Sequence, residues 1–227
     1  MRVVGLSWMT AQTCGSLRRD LHLKFEDPKL LYASLKAEGF FSVPLSKVRW
    51  FHTVSERYCL ASALALKDAF ESATEFRAHA SEVGVLSLSC EGALQSNLEY
   101  FKDYIQSGRK LARGNLFIHT LPTSRLAEVA IAFGLKGPSF HLSAADPSLN
   151  LLFTRCAALV QAAPELNLLC YVANEQAILC FYLKPDQIGD AGGVLFSWQE
   201  MTERIGNLWD LKAVFQALKI ETELIQQ

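Results

Sequence analysis

The sequence predicts an α/β fold, a mixed and mostly parallel sheet held between helices. Three observations carry that expectation. Short apolar runs rich in strand formers, VGVLSLS, LNLLCYVA and AILCFYL, recur along the chain and are far too short to cross a bilayer. Apolar residues at helical spacing fill the stretches between the earlier strands. The resulting order, βαβαβαβββα, puts a crossover helix between each of the first four strands and none after. Crossovers imply parallel neighbours covered on both faces, and the hairpin-like end implies at least one antiparallel edge strand.

Residues 2–7 read as the first strand. Asp27-Pro28 opens a short helix that Gly39 ends, an N-cap and C′ pairing. After a loop over 39–50, a long helix is expected from about 55 to 79, with Cys59, Ala63, Leu66 and Phe70 on its buried face. Residues 83–89 form a strand that runs into the turn Ser89-Cys90-Glu91-Gly92. Beyond it, Leu94, Leu98, Phe101 and Ile105 give one face of another helix, and core packing is its simplest reading. A helix from about 124 to 133 is stopped by Gly134, and Gly137-Pro138 precedes the strand 139–143. That strand passes through two alanines to Asp146-Pro147 and a helix over 147–161. Strands at 167–172 and 177–183 follow, with a third at 193–198. The last helix, 199–219, carries Leu208, Leu211, Phe215 and Leu218 on one side.

The 227 residues suit a single domain over 1–227, with no low-complexity linker. Half the residues are hydrophobic and the net charge is −1, so no basic field favours nucleic acid or an anionic membrane. The N-terminus MRVVGLSWMTAQTCGSLRRDL lacks the apolar run of a signal peptide, and a soluble, cytoplasmic chain is expected. The six cysteines, Cys14, Cys59, Cys90, Cys156, Cys170 and Cys180, form no CxxC pair, and the histidines show no HExxH spacing. No metal site and no cofactor are expected. Cys170 and Cys180 lie in strand-like runs and read as small buried hydrophobes, whereas Cys90 sits in a loop.

Residues 83–146 resemble the N-terminal half of a β-ketoacyl synthase, a condensing enzyme of the thiolase fold. VGVLSLSCEG stands where that family has an apolar strand and a Gly-rich turn. FIHTLPTSRLAEVAIAFGLKGPSF stands at its Pro-containing loop, helix and GLxGP phrase, and LSAADPS at its nucleophile elbow, Ser-x-Ala-Cys-x-Ser. Upstream, KVRWFHTVSERYCLASALALKDAFESA is similar to the family's Arg-containing loop and Ala-rich helix. Downstream, LNLLCYVANEQ is similar to its strand ending in Gly-Gly-x-Glu. The resemblance covers roughly residues 1–200 and implies one βαβαβαββ half of a thiolase-like fold.

Three departures matter as much as the matches. Asp146 occupies the position of the catalytic cysteine. A helix N-terminus activates a thiol there, but a carboxylate is a weak acyl acceptor and a good N-cap, so Asp146 is expected to cap a helix. The family's two catalytic histidines belong to its C-terminal half and have no counterpart here, since His119 and His141 sit in other motifs. The glycine-rich turn is reduced to Cys90-Glu91-Gly92. No condensing constellation is expected.

The resemblance therefore implies a chain-length factor: a shortened, nucleophile-less sibling that pairs with an active β-ketoacyl synthase as a heterodimer. Its side chains would close the acyl tunnel, as in type II systems making aryl polyenes or fatty-acid-like chains, and acyl carrier protein would meet it through the complex. Candidate wall residues are Glu91, Leu94, Asn97, Leu98, Phe101, Leu116 and His119, with Asn97 also free to face solvent and His119 to be a hydrogen-bonded core histidine. The strand Phe140-His141-Leu142-Ser143 is expected to pair with the partner's equivalent strand. Two rivals stay open. One is a stand-alone module binding acyl groups or acidic carrier protein, for which Arg18-Arg19 and Arg109-Lys110 with Arg113 are the available basic clusters. The other is a thiol enzyme using Cys90 beside Glu91, which lacks a histidine nearby in sequence to act as base.

Overall fold

The computed structural model describes residues 1–42, 53–109, 114–144, 148–174, 176–186, 194–207 and 210–221. The strands are β1 (Arg2–Met9), β2 (Thr13–Ser16), β3 (Leu21–Lys24), β4 (Val83–Ser89), β5 (Ser139–Ser143), β6 (Asn167–Ala173), β7 (Ile178–Lys184) and β8 (Phe196–Ser197). The helices are α1 (Pro28–Ala37), α2 (Thr53–Ala69), α3 (Ala73–His79), α4 (Leu94–Gln106), α5 (Gly114–Ile118), α6 (Ser124–Phe133), α7 (Leu149–Ala162), α8 (Trp198–Ile205) and α9 (Leu211–Ala217). One sheet orders them β3-β2-β1-β7-β6-β4-β5, with β8 also pairing β1.

Alternation along the strands builds a core on each face. In β6, Leu168, Cys170 and Val172 point to one side and Leu169, Tyr171 and Ala173 to the other. In β7, Leu179, Phe181 and Leu183 oppose Ile178, Cys180 and Tyr182. The first face is covered by α7, α8 and α9 through Leu152, Phe153, Met201, Ile205 and Phe215. The second is covered by α1, α2, α3 and α6 through Tyr32, Leu64, Phe76, Val129 and Phe133. In β1, Val3 and Leu6 share a face although three residues apart, because the ladder to β7 shifts register between Val3 and Gly5. Gly5 is needed there: a Cβ would lie 2.3 Å from the Ala65 carbonyl oxygen of the crossing helix α2.

The mixed sheet between helices is as expected, but its proportions are not. Among the described residues, parallel pairing is confined to β5-β4-β6, and every other pairing is antiparallel. The reasons are two: β7 returns antiparallel to β6 and seats β1 antiparallel beside it, and residues 13–24, where TCGS and LHLK are too short and polar to stand out as strands, add an antiparallel hairpin on β1. Two long helices also divide. The first breaks at Phe70–Ser72, where the Ser72 hydroxyl accepts from the Glu75 amide and caps α3. The last is split into α8 and α9, the second capped by Asp210; Leu208 lies outside the described residues. The expected ends at Asp27 and Gly39 hold, with Asp27 capping α1 and Gly39 at φ 84°, and Gly134 at φ 70° ends α6. Helix α7 has Ser148 at its N-cap, and Asp146, expected to cap it, lies outside the described residues.

Candidate functional site: the β5 edge and its apolar flank

Strand β5 ends the sheet, pairing in parallel with β4 from Val85↔Ser139 to Ser89↔Ser143, and among the described residues nothing pairs its outer edge. An uncovered edge is a row of free backbone donors and acceptors, which proteins normally cover or blunt. This edge carries no lysine, glutamate or proline within the strand. Phe140 is exposed, Ser143 is exposed, and His141 and Leu142 are half-buried. His141 is anchored from below, its Nδ1 lying 2.7 Å from the hydroxyl of buried Ser87 on β4. Burial, and then the positive charge of Arg125, lower its pKa and favour the neutral imidazole.

The flank of this edge is apolar. Leu94, Leu98, Phe101 and Ile105 on α4 were expected in the core, and instead they are 49, 44, 57 and 45% exposed. Their spacing is that of a buried stripe, but it faces away from the sheet. Phe117 and Ile118 of α5, Leu121 and Ile131 join them, so nine of the twelve exposed large hydrophobics among the described residues fall between residues 94 and 140. The helices are held as a unit. Tyr100 of α4 meets Phe117 of α5 edge-on, the Ser124 hydroxyl donates to the Ile118 carbonyl, and Arg125 Nη2 donates to the Gly92 carbonyl at 2.6 Å. Apolar exposure concentrated in this way marks an interaction surface.

Behind the stripe, at the carboxyl ends of β4 and β6, lies a cleft of about 430 Å³. Glu91 and Leu94 line it, together with Arg57, Tyr58, Ser96 and Arg125. The candidate wall residues therefore divide. Asn97, Leu98 and Phe101 belong to the outer side of α4, with Asn97 exposed, and Leu116 is half-buried on α5. His119 is nearly buried, with Nδ1 3.7 Å from Oε1 of Glu128 on α6, too far for a hydrogen bond. Burial pushes the Glu128 carboxyl up to about 7 against a hydrogen bond from Ser55. Cys170 and Cys180 are buried as expected, and Cys90 is exposed in the turn after β4.

Arg57, Arg125, Ser87 and Glu128 escaped the sequence reading. Each sits among helix- or strand-forming neighbours at a position where a solvent-facing residue is equally natural, and only the packing turns them inward.

No protein-family model matches the chain and no curated protein matches it. Solved structures do. A ketosynthase (ApeO) in complex with its chain length factor (ApeC) from Xenorhabdus doucetiae aligns at TM-score 0.53 and 13% identity, over 83% of this chain and 81% of the matched one. A β-ketoacyl synthase from Burkholderia phymatum STM815 aligns at TM-score 0.53 and 15% identity, over 85% of this chain but only 60% of that one. At such identities the likeness is one of fold: the chain has the thiolase-like α/β fold of ketosynthases. Among the described residues, no helix is long and apolar enough to cross a membrane.

Proposed function

We propose that the chain is a non-catalytic subunit that pairs with an active β-ketoacyl synthase and shapes its acyl tunnel, in type II polyketide biosynthesis of the aryl polyene kind or in fatty-acid-like biosynthesis. The observation that carries this reading is the unpaired β5 edge beside the exposed stripe of α4 and α5. A free strand edge offers directional backbone hydrogen bonds, and the stripe offers apolar area. A stable complex buries about 800 Å² per partner with a hydrophobic centre, and the two features supply both requirements. Support comes from the fold, which is shared with a ketosynthase and chain-length-factor complex, and from the aspartate at position 146, where the resembling family has its nucleophile.

Under this reading Phe140, His141, Leu142 and Ser143 form the paired edge. Glu91, Leu94, Asn97, Leu98, Phe101, Leu116 and His119 stand near the growing chain. One methylene beyond the space available would overpack a rigid wall, which costs about 1–3 kcal/mol and stops extension. Carrier protein meets the complex rather than this chain alone.

Proline cannot donate to a strand ladder, so Ser143→Pro is the direct test. The substituted chain should lose co-purification with the ketosynthase while its circular dichroism stays that of the wild type. Phe140→Glu, which leaves the backbone alone, should act in the same direction. Undiminished co-purification of both folded variants would remove β5 from the interface.

A further inference from the structure

We propose that the cleft at the carboxyl ends of β4 and β6 binds a small, singly charged carboxylic acid with an apolar body, and that Arg57 is its anchoring group. The two arginines in the cleft are in opposite situations. Arg125 is engaged by the protein itself, with Nη2 donating to the Gly92 carbonyl and its guanidinium 5.3 Å above the ring of Tyr58. Arg57, a half-buried residue one turn into α2, has its Nε and Nη2 buried and, among the described residues, without a hydrogen-bond partner. Burial lowers its pKa. Buried donors on a charged group without an acceptor are costly, and a guanidinium deprived of water is best satisfied by a planar anion gripped through two parallel N–H groups.

The surroundings define the rest of the ligand. Strand carboxyl ends in α/β sheets are where ligands collect, and about 430 Å³ is within the usual range for small-molecule sites. Val54, Leu94 and Ile178 give the cleft apolar wall, so the body of the ligand is hydrocarbon or aromatic. Helix α4 starts at this cleft without a side-chain cap at Ala93, and its positive end reinforces the preference for an anion. Glu91 and Glu99 also line the cleft and repel a second negative charge. A monocarboxylate fits that balance, whereas a phosphate dianion does not. The anchoring Arg57 lies on α2, away from β5 and from the outer residues Leu98 and Phe101 of α4, although Leu94 of the stripe also lines the cleft.

The test titrates the purified chain, alone or with the partner it co-purifies with, against benzoate, hexanoate and inorganic phosphate, read by calorimetry and thermal shift. Benzoate or hexanoate should bind and raise the melting temperature of the wild type, and phosphate should not. Arg57→Gln should weaken binding by at least about tenfold, the loss expected for a charge-assisted pair, without lowering the melting temperature of the free chain. Arg57→Lys keeps the charge but loses the fork and should fall between the two; it also serves if the glutamine variant fails to fold. Absence of binding by both acids, equal binding by a folded Arg57 variant, or preference for phosphate would each overturn the proposal.

Discussion

Asp68 is fully buried at the end of α2, and its carboxylate accepts hydrogen bonds from the backbone amides of Leu6, Arg18 and Arg19, at 2.9, 3.1 and 2.9 Å. One side chain thus fixes the central strand β1 and the turn that carries the β2–β3 hairpin. Asp68→Ala would leave three amides unsatisfied and should cost about 3 kcal/mol or more, measured by urea denaturation. Glu128 gives a pH-dependent counterpart. Its carboxyl moves from the usual 4.5 to about 7 in the fold, so the folded chain holds the proton more tightly than the unfolded one. Its contribution to stability is complete below about pH 4.5 and is lost as pH rises through 7. Glu128→Gln, which cannot ionise, should match the wild type near pH 4.5 and exceed it at pH 8 by up to about 3 kcal/mol, less the part that solvent screening removes. A constant difference across that range would show that burial does not set the Glu128 proton affinity.

At the level of elements, α4 separates two readings of one pattern. If Leu98 and Phe101 packed in the core, replacing them would cost about 2–5 kcal/mol each; exposed as they are, it should cost within about 0.5 kcal/mol. The double variant Leu98→Lys, Phe101→Glu should therefore melt near the wild type, resist aggregation better alone, and fail to bind a ketosynthase. Periodicity predicted the helix and its apolar stripe but not what the stripe faces, because an interface stripe and a core stripe have the same spacing. The strands β4, β6 and β7 were legible because both faces are buried and the sequence is apolar throughout. The hairpin β2–β3 was not, since β3 is mostly exposed and its strength lies in pairing rather than in apolar pattern. The division of residues 55–79 into two helices turned on Ser72, whose capping bond competes with helix continuation without any glycine or proline to announce it. Of the candidate site, the edge strand was readable through a resemblance, and the unpartnered guanidinium of Arg57 was not, because burial of one arginine leaves no trace in spacing.

The αβα layers complete both hydrophobic cores within the chain, yet leave the β5 end of the sheet open and its flanking helices apolar. A chain that completes its own cores and still exposes such a face offers a surface on which a partner can dock. Pairing with a ketosynthase is decided by co-expressing the chain with the ketosynthase encoded nearest to it and weighing the purified complex. A stable 1:1 heterodimer is expected, with the isolated chain prone to aggregate. A well-behaved homodimer or monomer that ignores every ketosynthase offered would contradict it.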